Sequence, residues 1–165
     1  MAAIIETATA DDTRAVGAAL AGLLVPGDVL VLTGDLGAGK TTLTQGIAKG
    51  LGATEHVASP TFTLVREYVT GRLPVAHVDV YRLRRAQDVL DLALDELDGG
   101  HDGVLIVEWG DAVADLLGAD RLRIELTAPD PVAETRRIAV EGTGAAWTRR
   151  VDAVAATLAP WEARP

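Results

Sequence analysis

The chain contains no cysteine and no asparagine, and only two lysines beside 13 arginines. Without cysteine neither a disulfide framework nor a thiolate metal site can form, so a reducing cytoplasm is the expected setting. The three histidines, His56, His77 and His101, are too scattered to read as a zinc cluster. Basic charge is also short: 15 Lys and Arg against 24 Asp and Glu leave a formal net charge of −9. That is the wrong sign for a protein that holds nucleic acid by neutralising phosphates, so any nucleic acid in its biology is expected to be held by something else.

Long apolar runs are missing too. The one tempting stretch, "AVGAALAGLLVPG" (residues 15–27), has about 13 uncharged residues where a membrane span needs roughly 18. Pro26, Gly27 and Asp28 cut it, so it reads as a buried amphipathic helix ending in a turn. The N-terminal "MAAIIETATADDTR" lacks the basic segment and the apolar core of a secretory signal, and no membrane association is expected. What is present, 165 residues of which 48% are hydrophobic and 24% charged, suits one globular α/β domain. We place it at residues 1–159, with 160–165 as a loose tail.

Asp11 and Asp12 can cap a helix over residues 13–24, and "PGD" turns the chain into a strand at 29–33. A helix over 40–51 follows, with Gly52 as its stop. "TFTLVREYV" and "PVAHVDVYR", joined by "TGRL", read as an antiparallel hairpin, which makes the sheet mixed. "AQDVLDLALDEL" (86–97) has one apolar helical face with carboxylates opposite. "VLIVE" (104–108) is an unbroken apolar run of the kind that suits a central strand covered on both faces. "RLRIELT" and "RRIAVE" read as a second hairpin, and "AWTRRVDAVAATLA" as a terminal helix.

Chemistry concentrates in "GDLGAGKTT", directly after the apolar run "VLVLT". Gly34, Gly39, Lys40 and Thr41 fit G-x-x-x-x-G-K-[ST] between a strand and a helix, the context the pattern demands. Glycines let backbone N–H groups converge on phosphate oxygens, and the helix start adds roughly half a positive charge. Lys40 supplies a point charge and Thr41 a hydroxyl for Mg²⁺. With 17 Gly and two Lys in the chain, such a match arises by chance in only about 0.002 of chains of this composition. One of the two lysines stands where a compact ammonium is wanted rather than a planar fork. The candidate nucleotide contacts are Asp35, Gly37, Ala38, Gly39, Lys40, Thr41 and Thr42.

Guanine-specific proteins of this class read the base with an N-K-x-D loop, which a chain without asparagine cannot build, so ATP is the expected nucleotide. Turnover needs a carboxylate near the metal, at the end of a strand beside the loop's own. Glu108 closes "VLIVE" and is the metal-side candidate; Asp79 in "HVDVYR" could hold the attacking water or the metal's water shell. The competing readings are a solvated strand-end acid for Glu108, a surface carboxylate paired with Arg82 for Asp79, and a packed or hydrogen-bonded strand histidine for His77. In "ASPTFT", Ser59 and Thr61 offer hydroxyls where such proteins place a nucleotide-sensing segment, and a plain strand-entry turn fits equally.

In order and spacing, "GDLGAGKTT", "SPTFTLVREY", "HVDVYRL" and "VEWGD" resemble the bacterial TsaE (YjeE) family, small P-loop ATPases that take part in forming threonylcarbamoyladenosine at position 37 of tRNA. The resemblance implies a single-domain P-loop NTPase fold with a mixed (parallel and antiparallel) central sheet flanked by helices. It also implies slow ATP hydrolysis with Mg²⁺, and assembly with the threonylcarbamoyl transferase TsaD and its partner TsaB, with tRNA engaged only through that complex. Carried onto this chain, Lys40, Thr41 and Thr42 hold phosphate and Mg²⁺, Glu108 is the metal-side acid, Asp79 serves hydrolysis, and Ser59 and Thr61 lie in a switch-like segment. Two departures stand out. Gly110 replaces a proline frequent after "EW", which should loosen the chain beyond Glu108, and Ala93 replaces a glycine, which should matter only to packing.

Two other functions fit the loop alone. A P-loop kinase would carry an arginine-rich lid, for which "YRLRRAQD" offers Arg82, Arg84 and Arg85, but no acceptor-binding feature follows. A nucleotide-binding regulatory module would bind without turnover.

Overall fold

The computed structural model describes residues 2–83, 85–92 and 101–163. Within these, seven strands form one sheet in the order β1-β7-β6-β2-β5-β4-β3. They are β1 (Ala2–Thr7), β2 (Val29–Thr33), β3 (Val65–Tyr68), β4 (Val75–Asp79), β5 (Val104–Glu108), β6 (Arg121–Thr127) and β7 (Arg136–Thr143). The sheet is mixed as expected: β2 runs parallel to β5 and β6, and β4 parallel to β5, whereas β3–β4, β6–β7 and β1–β7 are antiparallel.

Composition follows coverage. Every residue of β4 and β5 is buried, because these strands are packed on both faces. β6 alternates buried and exposed residues, leaving one of its faces to solvent. The larger core lies under helices α1 (Ala10–Ala21), α2 (Lys40–Gly50) and α5 (Val151–Leu158), and is built from residues such as Leu20, Leu32, Leu43, Ile47, Ile106 and Leu158. A smaller cluster of Val78, Val80, Leu105, Val107 and Val113 fills the opposite face, next to the 3₁₀ helix Gly110–Leu116.

Helices α1 and α2 pack backbone to backbone. A Cβ at Gly46 would lie 2.1 Å from the Arg14 carbonyl oxygen, and one at Gly17 would lie 2.4 Å from that of Leu43, so no larger residue fits either crossing point. This contact fixes α2, and with it the residues at its head, against the core.

The elements differ from the sequence reading at several ends. Helix α1 begins three residues early, at Ala10. Its cap is Thr9, whose hydroxyl accepts from the Asp12 amide while the Asp12 carboxylate accepts from the Thr9 amide, each at 3.1 Å. This capping box, T-x-x-D, satisfies the helix's free amides better than Asp11 or Asp12 as cap would. The first hairpin strand starts at Val65 rather than near residue 61, because the Leu64 amide turns back onto the Pro60 carbonyl at 2.7 Å. The terminal helix is two, α4 (Gly144–Thr148) and α5, separated at Arg149 and Arg150. There the Arg150 guanidinium forks onto the buried Asp28 carboxylate at 2.6 and 2.8 Å. Strand β1 had no counterpart in the sequence reading. Residues 160–163, expected to be loose, are tied to it: Glu162 bridges Ile5, and the Ala163 amide donates to the Ile4 carbonyl at 3.1 Å. The acidic helix is described as α3 (Ala86–Leu90); its remainder to residue 97, including Ala93, and Arg84 lie outside the described residues. No helix among the described residues is long and apolar enough to cross a membrane.

Candidate nucleotide-binding site

Strand register sets the site. Glu108 pairs with Leu32 on one side and with Asp79 on the other, so the ends of β2, β5 and β4 lie in one row below the glycine loop. The loop bends sharply through left-handed residues, with Gly34, Gly37 and Gly39 at φ of +133°, +79° and +104°, where a side chain would strain the backbone. At Gly34 a Cβ would also lie 2.2 Å from the Leu126 carbonyl oxygen.

The row of strand ends brings together most of the residues singled out from sequence, whereas Asp35 and Ala38 are not among those lining the cleft. Thr41 donates its hydroxyl proton to Glu108 Oε1 at 3.0 Å. Lys40 is 5% exposed and donates to the carbonyls of Gly34 at 2.6 Å and Asp35 at 2.9 Å, with its ammonium 4.0 Å from the centre of the Trp109 ring. Burial pushes that ammonium below the usual lysine range, against the pull of Glu108, Asp79, Asp35 and Asp111. Asp79 accepts from Ser59 and Thr61, each at 3.3 Å, and from the Tyr81 amide at 2.9 Å. It is therefore buried and held by Ser59 and Thr61 rather than being a surface carboxylate paired with Arg82. Ser59, Thr61, Asp79, Glu108, Lys40, Thr41 and Thr42 line one open cleft of about 440 Å³.

His77 is a hydrogen-bonded strand histidine, as one of the two sequence readings has it. It is fully buried between Glu108 Oε1, 2.8 Å from Nε2, and the Tyr68 hydroxyl, 3.1 Å from Nδ1. With its proton on Nε2 the ring donates to the carboxylate and accepts from the phenol. Burial pushes the Tyr68 hydroxyl above the usual phenol range, against the pull of the Ala58 carbonyl, which also lies within hydrogen-bond distance of it at 3.3 Å. A chain Tyr68–His77–Glu108–Thr41 thus runs from the core to the head of α2.

Three further residues were not singled out from sequence. Trp109 sits at a left-handed φ of +62°, placing its ring against Lys40 and 4.7 Å from the Tyr81 ring. Its position directly after Glu108 was the available signal. Tyr81 joins it in lining the cleft. Arg136, from β7, donates to the loop carbonyls of Gly37 and Ala38 across nearly a hundred residues of sequence, and no local pattern announces it. Arg82 lines the cleft with its guanidinium 4.7 Å from the Phe62 ring centre. Gly110, expected to loosen the chain, opens the 3₁₀ helix, where a Cβ would meet Val31 Cγ1 at 2.8 Å.

A glycine loop between a central parallel strand and a helix, with strand-end carboxylates beside it, defines the P-loop NTPase fold. Fold comparison agrees. The crystal structure of Bacillus subtilis YdiB matches with a TM-score of 0.78 at 36% identity, covering 94% of this chain and 95% of that one. The profile of the family described as "Threonylcarbamoyl adenosine biosynthesis protein TsaE" matches residues 7–138, and this chain belongs to that family. Among its relatives, the tRNA threonylcarbamoyladenosine biosynthesis protein TsaE of Bacillus subtilis is 48% identical over 118 residues, 72% of this chain and 73% of that one. The protein of the same name from Streptomyces coelicolor is 42% identical over 139 residues, 81% and 93% of the two chains.

Proposed function

We propose that this chain is a Mg²⁺-dependent ATPase, slow on its own, that supports a threonylcarbamoyl transferase complex in forming threonylcarbamoyladenosine at position 37 of tRNA. The observation that carries the reading is the convergence of Lys40, Thr41 and Glu108 at the head of α2, with Asp79 in the same cleft. Among the described residues no three His, Cys, Asp or Glu side chains form a metal cage. That suits Mg²⁺, which keeps water and phosphate oxygens and takes few protein ligands. Thr41 and Glu108, already in contact, would hold it, and the ion would neutralise charge on the outer phosphates.

In this reading the loop amides and the start of α2 bind the phosphates, and Lys40 turns from the Gly34 and Asp35 carbonyls to the outermost one. Glu108 is kept in place by His77 and serves the metal side. Asp79, oriented by Ser59, Thr61 and the Tyr81 amide, positions the attacking water or the metal's water shell. Among the described residues Arg82 is the arginine that lines the cleft, and it is engaged with Phe62, so the transition-state charge is poorly met by these residues alone. The partners in this reading are the transferase TsaD and its companion TsaB, and the net charge of −9 leaves tRNA binding to them.

Phosphate release from ATP by the purified chain, without an acceptor, tests the reading. Slow Mg²⁺-dependent release that rises on adding the transferase pair is the expected result. Release only when a small-molecule acceptor is phosphorylated would make the protein a kinase, and tight nucleotide binding with no release under either condition would make it a regulatory module.

A further inference from the structure

Arg136 reaches the glycine loop from outside the cleft. Its Nε donates to the Ala38 carbonyl at 3.0 Å and its Nη2 to the Gly37 carbonyl at 3.2 Å. Its Nη1 donates to the carbonyls of Ala133 and Thr135 at 2.8 and 2.9 Å, which fixes the fork to the hairpin it comes from. It is not among the residues lining the main cleft; it borders a smaller cavity of about 110 Å³ that shares Gly37, Gly39 and Thr42 with that cleft. Arg136 therefore meets the loop through its carbonyls and not through the main cleft.

We propose that Arg136 is a positioning residue that presets the glycine loop for phosphate by holding the carbonyls of Gly37 and Ala38 away from the cleft. The peptide group is planar and trans, so its C=O and N–H point in opposite directions. Pinning the Ala38 carbonyl toward β7 turns the Gly39 N–H the other way. Pinning the Gly37 carbonyl fixes the Ala38 N–H as well, which is spent on the loop's own turn, donating to the Asp35 carbonyl at 3.0 Å. Left-handed glycines have several accessible conformations, and a loop that must choose one on binding spends affinity on ordering itself.

Lys40 cannot supply this restraint throughout. It holds the Gly34 and Asp35 carbonyls, and an ammonium drawn toward a phosphate has fewer protons left for them. The Arg136 contacts are made outside the main cleft and need not change when phosphate enters it. A planar guanidinium reaches two successive carbonyls at once; a lysine in its place keeps the charge and loses the fork.

The inference rests on the nucleotide reading above, and the test separates the two. Wild type, Arg136→Met and Arg136→Lys are compared by Mg-ATP titration calorimetry, by ¹⁵N order parameters of the Ala38 and Gly39 amides without nucleotide, and by thermal unfolding. The expected result is a loop order parameter falling from about 0.85 to below about 0.6 in both variants, with Mg-ATP affinity reduced about tenfold in both and the folded state retained. Full affinity in Arg136→Lys would mean that charge, not the fork, acts, and would overturn the proposal. A lower melting temperature with unchanged loop order and unchanged affinity would make Arg136 only a hairpin brace and would also overturn it. If wild type binds no nucleotide, the function proposed above fails, and the order parameters alone then decide whether Arg136 sets the loop. Should Arg136→Met fail to fold, Arg136→Lys carries the same three measurements.

Discussion

β5 and β4, on one side of β2, are buried along their whole length, whereas β6 on the other side shows alternate residues to solvent. The buried half ends in Glu108 and Asp79, two carboxylates 4% exposed or less, each tied into hydrogen bonds that fix its direction. The half-open side reaches the same loop through Arg136 and addresses only backbone carbonyls. Parallel strands ending side by side place acids in a row; an antiparallel hairpin returning beside them contributes a brace from behind. Side chains that would meet ligand come from the first arrangement, and loop shape from the second.

The largest break in this division is expected from Lys40→Ala, which removes the ammonium that touches the loop from the cleft side. Loss of a desolvated charge contact of this kind costs about 2–5 kcal/mol, so Mg-ATP affinity should fall on the order of 10² or more while thermal unfolding still shows a cooperative domain. Separating the two acids comes next. Asp79→Asn should leave Mg-ATP binding intact and lower hydrolysis by about 10² to 10⁴, the usual worth of a positioned acid or base. Glu108→Gln should weaken Mg²⁺-dependent binding itself; titration of a fluorescent ATP analogue with and without Mg²⁺, beside phosphate release, reads both, and reversed results would exchange their roles.

A third break acts on stability rather than on ligand. His77→Ala would open a cavity at a fully buried position and strip partners from Glu108 and Tyr68, at a cost of about 3 kcal/mol read by denaturant unfolding. The smallest effect concerns Glu55, at the outer edge of the same half. The Thr70 hydroxyl first, then the amides of Val69 and Thr70, hold its carboxyl at about 2. A folded value below the unfolded one contributes stability that is present above about pH 4.5 and lost as the pH falls through about 2. Melting temperatures of wild type and Glu55→Gln should converge over that window.

Legibility in the sequence follows the same division. The loop, its flanking strand and helix, and both acids were readable because each sits at the boundary of a strongly patterned segment, an apolar run closing on a polar residue. The mixed sheet was readable from two hairpins. Strand β1 was missed because it lies at the sheet edge with Ile4 exposed beside buried Ile5 and Thr7, so its residue types show no clear alternation, and the break between α4 and α5 because it is set by Arg150 meeting Asp28, 122 residues away in the chain. Arg136 was missed for the same reason: its partners are backbone atoms, which leave no trace in the identity of the residues that carry them. The cap at Thr9 was legible and misassigned, since the choice between Thr9, Asp11 and Asp12 is settled by which residue is extended, and here it is Thr9 at φ −136°.

The stacking of Lys40 on Trp109 gives the molecule an internal optical gauge. An indole's emission responds to a charge resting on its face, and this charge belongs to the residue proposed to shift when phosphate arrives. The other tryptophans lie elsewhere, Trp147 buried between Gly142 and Arg150 and Trp161 in the closing 3₁₀ turn, so their emission forms a steady background. Filling of the cleft can then be followed by light from the unlabelled protein, and Trp109→Phe should silence the signal.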